Sequence, residues 1–260
     1  MAPLLCGGIF RASNMPDIQH HPEFSIDSEI HIVDDDAEQT KIFSLLLGEN
    51  FGQIKTWNSA TSWMSVYAPT QPTVLIVDFY FPGERISGED LLDWIAINRH
   101  PIVPLIVSGD VDVDRCRDWM RKGAIYVIPK PMTRSAFLRL APVLSQAKDA
   151  SISKFNEYQL DNILRSRLAQ CTQREREIVF KRLQGVPPKS IADYFGCKYR
   201  TVVKHFSNAM CNLVDRGRNE QPSADADEMQ PLEHVRDKVR LYRLLLEEFG
   251  HLEEPGRIDW

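Results

Sequence analysis

The sequence predicts an α/β protein: a doubly wound (βα)5 parallel sheet followed by an all-α helix-turn-helix domain. Two patterns carry this. From residue 29 to 147, short β-branched runs alternate with amphipathic stretches. Beyond 170 the texture is wholly helical, and a short helix, a glycine and a longer helix follow one another. The 260 residues are enough for two such domains.

Residues 1–28 carry Pro, Asn, Ser and His without periodicity, which predicts a disordered leader. Its first ten residues are apolar, yet they lack the basic start and the length of a secretory signal. The strands are read at Ile30-His31-Ile32-Val33, at 53–57, at Val74-Leu75-Ile76-Val77, at Pro104-Leu105-Ile106-Val107 and at 124–128. Continuous β-branched runs of this length suit strands buried on both faces. Helices are expected between them at 37–47, 59–67, 89–98, 113–122 and 133–147; in the first, Ile42, Leu45 and Leu46 recur at helical spacing.

Residues 148–170 read as a helical linker with Phe155, Leu160, Ile163, Leu164 and Leu168 on one stripe. The domain at 171–220 opens on Thr172-Gln173-Arg174-Glu175, a capping box in which the Thr oxygen and the Glu carboxylate satisfy each other's backbone amides. Pro187-Pro188 ends its first helix, a short helix spans 189–195, Gly196 supplies the turn, and a longer helix runs over about 200–216. Residues 221–260 form an extension: an acidic spacer, then one amphipathic helix over 231–249 with Leu232, Val235, Val239, Tyr242 and Leu246 on a common face.

The composition, 43% hydrophobic with 13 Gly and 16 Pro, excludes a mainly disordered or collagen-like chain. No apolar run approaches the roughly 18 residues of a membrane span. The five cysteines are odd in number and lack metal-ligand spacing, which points to reduced thiols and a cytoplasmic protein. His20-His21 has no partner ligands nearby and reads as solvated. The net charge of −5 hides opposite signs. Residues 166–220 carry +6, against −6 for 1–165 and −5 for 221–260. A basic helix-turn-helix block has the electrostatic footprint of a phosphate-backbone binder.

In a doubly wound sheet, ligands sit beyond the carboxyl ends of the strands. Those ends carry Asp34, Asp35 and Asp36 on the first strand, Asp78 on the third, Ser108 on the fourth and Lys130-Pro131 on the fifth. Carboxylates converging in one crevice repel unless a cation neutralises them, and an all-oxygen set suits Mg2+.

Over residues 29–147 these motifs resemble the receiver domain of two-component response regulators. The matching stretches are Ile32-Val33-Asp34-Asp35-Asp36, Val77-Asp78 with Pro82, Val107-Ser108-Gly109-Asp110, Gly123-Ala124 and Lys130-Pro131. The resemblance implies that Asp78 accepts a phosphoryl group from a sensor histidine kinase. It further implies that Asp34 and Asp35, with Asp78, hold Mg2+, that Ser108 and Lys130 contact the phosphoryl oxygens, and that Lys130-Pro131 is cis. The chain departs from the pattern in a longer, aromatic loop (Phe79-Tyr80-Phe81), in Pro129, and at Val127, where a switch Tyr or Phe normally stands and Tyr126 is displaced by one residue.

The 171–220 block resembles the LuxR-type helix-turn-helix of the FixJ/NarL class. It does so through Thr172-Gln173-Arg174-Glu175-Arg176-Glu177, Gly185, Lys189-Ser190-Ile191-Ala192 and Arg200-Thr201-Val202 with His205 and Asn208. Ile191, Ala192, Val202 and His205 read as packing or local structure. In this family the outward positions entering the major groove fall at Val203, Lys204 and Ser207, while Lys189, Arg200, Arg216 and Arg218 are suited to phosphate contacts. Two residues depart from the pattern, Lys198 at the usual Ser cap and Pro188 before Lys189.

The function expected is therefore a DNA-binding transcriptional response regulator, not an enzyme. Phosphorylation on Asp78 promotes dimerisation and promoter binding, and RNA polymerase is a further candidate partner. The competing readings are a phosphorylation-independent DNA-binding regulator whose receiver is a constitutive dimerisation module, and a small aspartyl-phosphate phosphohydrolase. Tyr80, standing where such a hydrolase would carry a second Asp, argues against the last.

Overall fold

The computed structural model describes residues 28–48, 53–131, 134–213 and 238–250. Contacts divide the chain into an N-terminal unit, Met1–Phe155, and a C-terminal unit, Asn156–Trp260.

The N-terminal unit is built on a five-stranded parallel sheet of order β2-β1-β3-β4-β5. Its strands are β1 Glu29–Val33, β2 Ile54–Trp57, β3 Thr73–Asp78, β4 Ile102–Ser108 and β5 Tyr126–Pro129. Helices α1 Ala37–Gly48, α2 Ala60–Val66, α3 Gly88–Ile97 and α4 Val113–Arg121 connect them. Alternate strand residues feed two core layers, as a period of two requires. Ile32, Ile76 and Leu105 pack with Phe43 and Leu47 of α1; Val33, Leu75 and Ile106 pack with Trp63 of α2, Leu91 of α3 and Trp119 of α4. The helices start where polar side chains take up the orphan amides: Ser59 caps α2, Ser87 and Asp90 form a capping box on α3, and Asp112 caps α4.

On α1 the buried face is Thr40, Phe43 and Leu47, and the Ile42, Leu45 and Leu46 series is exposed. Both series satisfy helical spacing, and the one carrying the phenylalanine docks on the sheet.

Helix α5 is continuous over Arg134–Ala169, with Pro142 inside it, so no break divides 133–147 from the expected linker at 148–170. The boundary between the two units falls within α5. Phe155, Leu164 and Leu168 are buried, whereas Leu160 and Ile163 are exposed, which narrows the predicted stripe.

The C-terminal unit continues with α6 Gln173–Leu183, α7 Pro188–Tyr194, α8 Tyr199–Leu213 and α9 Lys238–Phe249. The Thr172–Glu175 capping box is formed on α6, and Gly196, at φ 59°, makes the turn between α7 and α8. Helix α9 shares the core of this unit: Leu241, Leu244, Leu245 and Phe249 join Ile178, Phe180, Ile191, Val202 and Phe206. The Phe180 ring stacks on Tyr242 at 5.5 Å and on Phe249 at 5.8 Å. The buried face of α9 is thus rotated from the expected one, since Val239 is exposed; Leu232 and Val235 lie outside the described residues. Of the expected disordered leader at 1–28, only Ser28 is described, and it is buried with its Oγ 2.9 Å from Ser151 Oγ; residues 1–27, the spacer, Arg216 and Arg218 lie outside the described residues. Among the described residues no helix is long and apolar enough to cross a membrane.

Candidate functional site

In the order β2-β1-β3-β4-β5 the winding reverses between β1 and β3, which opens a crevice beyond their carboxyl ends. Asp34 follows β1 and Asp78 ends β3. Together with Asp35 they each present a carboxylate oxygen, all within 4.8 Å of one another. Asp36 turns away from this set and caps α1, its Oδ1 accepting from the amides of Glu38 (2.8 Å) and Gln39 (3.3 Å). Ser108, at the end of β4, is buried, and its Oγ accepts from the Asp110 amide at 3.2 Å. The Lys130–Pro131 peptide after β5 is cis. Lys130 Nζ reaches both Asp34 Oδ2 (3.0 Å) and Asp78 Oδ2 (2.9 Å).

The electrostatics follow from three acids facing one base. Burial pushes the Asp34 carboxyl above its usual range and the Asp78 charge adds to this, against the Asp36 amide and Lys130. Burial alone would lower Lys130, but its bonds to Asp78 and Asp34 hold it above the usual lysine value. Lys130 is therefore a fixed cation, and an all-oxygen carboxylate set beside it suits a hard divalent cation such as Mg2+.

The aromatic loop after Asp78 is anchored at both ends. Gly88 Nα donates to the Phe79 carbonyl at 2.9 Å, closing the loop on itself. A Cβ at Gly88 would lie 2.8 Å from Phe79 Cα and 2.9 Å from the Asp78 carbonyl oxygen, so only glycine fits there. Phe81 is buried and Phe79 packs on Trp119 at 4.6 Å, leaving Tyr80 exposed. Glu84 reaches across to α2: its carboxylate accepts from the amides of Ala60 (3.1 Å) and Thr61 (3.0 Å) and from Thr61 Oγ1 (2.7 Å). Against the raising effect of burial, these donors and Ser59 hold the Glu84 carboxyl below its usual range. No local pattern marks Glu84 or Gly88 in the sequence, because both act on distant backbone. Glu84→Ala should lower stability by about 1 kcal/mol, the worth of a lost helix cap, read as a shifted urea midpoint at unchanged slope.

On β5, Tyr126 packs in the α1 layer and Val127 in the α2–α4 layer. The one-residue displacement therefore places the ring on the opposite face of the sheet.

On the second unit, Ile191, Ala192, Val202, Phe206 and Ala209 face the core. Arg200, Val203, Lys204 and Ser207 lie on the opposite face of α8, with Lys204 and Arg200 exposed and Val203 and Ser207 half-buried. His205 is half-buried, its Nδ1 3.8 Å from Glu175 Oε1. Within residues 171–213 the basic side chains fall into two groups. Arg176 pairs with Glu248, Arg182 donates to the Val186 carbonyl, Arg174 lies over Phe195 and Lys181 over Tyr194. Lys189, Lys198, Arg200 and Lys204 are exposed and unpaired among the described residues, and all four lie on or between α7 and α8. The cations left for an external anion thus collect on the helix-turn-helix.

A model of the response regulator receiver domain matches residues 30–141. The chain carries a response regulator receiver domain. Its relatives extend the likeness past the receiver. The transcriptional regulatory protein FixJ of Rhizobium meliloti (strain 1021) is 27% identical over 187 residues, covering 72% of this chain and 89% of FixJ. The C4-dicarboxylate transport transcriptional regulatory protein DctR of Rhodobacter capsulatus is 25% identical over 189 residues, covering 72% of this chain and 93% of DctR. Among solved structures, the response regulator StyR shares the fold at a TM-score of 0.54 and 22% identity, over 85% of this chain and 99% of StyR. The receiver and the helical unit behind it are thus similar to transcriptional response regulators of the FixJ/NarL type, and receiver domains signal by phosphorylation.

Proposed function

We propose that this chain is a DNA-binding transcriptional response regulator, phosphorylated on Asp78 by a sensor histidine kinase. The observation that carries the reading is Lys130 Nζ spanning Asp34 and Asp78 beside the three-carboxylate set. In the transfer, a carboxylate oxygen of Asp78 bonds to phosphorus as the bond from phosphorus to the donor's leaving atom breaks in line. Lys130 then exchanges a carboxylate partner for a phosphoryl oxygen and offsets charge there, and the Ser108 hydroxyl donates to another. Asp34, Asp35 and Asp78 would hold Mg2+, which supplies charge neutralisation when bound. Positioning by the sheet does the rest: Asp34 and Asp35 follow β1, and Asp78, Ser108 and Lys130 stand at the ends of β3, β4 and β5, at fixed separation.

The output in this reading is the surface of α7 and α8. Lys204 donates to guanine O6 or N7, Val203 packs on a thymine methyl, and Ser207 contacts a third base edge. Lys189 and Arg200, with Arg216 and Arg218, hold phosphates. The receiver spans 29–147, the linker 148–170 and the DNA-binding domain 171–220. The part of 221–260 that forms α9 belongs to that domain's core. Phosphorylation favours a homodimer on paired half-sites, with RNA polymerase as the next partner, and the protein works in the cytoplasm.

Phos-tag gels after acetyl phosphate treatment, with DNA footprinting on the same samples, test this reading. One adduct on wild type, none on Asp78→Asn, and footprints that strengthen with the adduct are expected. An equal adduct on Asp78→Asn, or footprints indifferent to the donor, would sink it.

A further inference from the structure

A buried histidine in the receiver takes no part in the chemistry at Asp78. His31, on β1, is 6% exposed. Its Nδ1 accepts from the Trp63 indole Nε1–H at 3.0 Å, and its Nε2 lies 3.0 Å from Glu29 Oε2. An indole nitrogen only donates, so this bond requires a bare Nδ1 and fixes the neutral tautomer with its proton on Nε2, donated to Glu29. Adding a proton to Nδ1 would set two N–H donors against each other. Trp63 is fully buried, so water cannot take over the indole bond.

Trp63 belongs to α2, and the first turn of α2 is held by Glu84 from the loop that follows Asp78. The same loop places Phe79 on Trp119 and closes through Gly88 beside the Asp78 carbonyl. An unbroken series of contacts therefore runs from His31 through Trp63, α2 and Glu84 to the flank of the phosphoacceptor.

We propose that the His31–Trp63 pair is an acid-sensitive latch: protonating His31 breaks the indole bond, loosens α2 and, through Glu84, frees the loop beside Asp78. Burial holds His31 below the usual histidine range, against the raising effect of its Glu29 hydrogen bond. The unfolded chain thus binds the proton more readily than the folded one. The latch contributes its full stability above the ordinary histidine value and loses it as pH falls below that value.

Other titratable groups face the same cluster. Glu29 and Lys55 pair at 2.8 Å beside His31, on β1 and β2. Tyr67, the residue after α2, lies 6.3 Å from the His31 ring and 5.1 Å from His100, whose ring stands 4.2 Å from Trp94 of α3. Burial lowers His100 as well, so both histidines titrate on the acid side. Glu84 lies below the usual carboxylate range and stays ionised through mild acid.

The test uses the full chain with nitrogen-15-labelled tryptophan, followed by NMR from about pH 7.5 to about pH 5.5, together with amide hydrogen exchange. The Trp63 indole resonance, assigned with Trp63→Phe, is expected to titrate. Exchange over residues 60–66 and 79–88 should become severalfold faster in acid. His31→Gln should remove both effects and His100→Gln should keep them. Trp63→Phe, which keeps a ring without a donor, should make exchange over 79–88 fast at both pH values. A Trp63 resonance indifferent to pH, the same titration in His31→Gln, or faster exchange confined to 60–66 would overturn the latch. Its consequence for labelling of Asp78 rests on the phosphoacceptor reading, and the two fail separately. A titrating latch with no acetyl phosphate adduct at any pH supports the latch and removes only that reading.

Discussion

Ending the chain after Glu220 is expected to unfold the C-terminal unit. Helix α9 places Leu241, Leu244, Leu245 and Phe249 in the core, each at most 4% exposed. Full burial of such a side chain contributes about 1.5–3 kcal/mol. Four of them amount to roughly 6–12 kcal/mol, an upper estimate because the unfolded chain already buries some apolar surface. That rivals the whole stability of an ordinary domain, about 5–15 kcal/mol. The more exposed ion pairs of α9, Arg176–Glu248, Arg165–Glu247 and Arg243–Asp161, add little, because surface pairs contribute roughly 0–1 kcal/mol each. Calorimetry of the truncated chain should keep one unfolding transition and lose the other, and DNA binding should vanish with it. Two transitions as in the full chain would show that α9 is an accessory. Phe249→Ala probes the same contact more gently, with an expected loss of about 3–5 kcal/mol.

The sequence places the acidic site well because each of its members is local. A β-branched run predicts a strand, and the residue at the carboxyl end of a parallel strand falls in the crevice whatever the details of packing. Asp34, Asp78, Ser108 and Lys130 all lie at such ends. Apart from α5, which runs on to Ala169, the strand and helix limits of the receiver and the start of α6 are recovered within a few residues for the same reason: caps such as Thr172–Glu175 and turns such as Gly196 act on their own neighbours. What escapes is whatever depends on contact between distant segments. Two stripes on α1 satisfy the same period, and only the sheet beneath decides between them. Helix α9 lies well beyond α8 in the chain, so no periodicity announces that it completes the core around Phe180. Glu84 on α2 and Trp63 on His31 are long-range bonds between residues that are unremarkable in their own segments.

The charge balance among Asp34, Asp35, Asp78 and Lys130 leads to the second large effect. Three carboxylates face one lysine, and burial with the neighbouring Asp78 charge raises Asp34. A carboxyl raised in the folded state binds protons more readily there than in the unfolded chain. Its contribution is therefore a gain below the folded value that is lost as pH rises through it. At neutral pH the site carries uncompensated negative charge, which a divalent cation would relieve. Mg2+ is therefore expected to raise the melting temperature at neutral pH, by about 2.7 kcal/mol of stability at a hundredfold excess over its dissociation constant. Asp34→Asn, with one charge and one anionic ligand fewer, should reduce that stabilisation. It should also slow acetyl phosphate labelling of Asp78 by about a hundredfold, or ~2.7 kcal/mol of barrier. Lys130→Met should separate the two roles. It leaves the three carboxylates in place, so stabilisation by Mg2+ should grow, yet labelling should still fall because the phosphoryl oxygens lose their fixed cation. Full labelling in EDTA, or Mg2+ stabilising Asp34→Asn as much as wild type, would show that these carboxylates do not act as one cation-dependent site.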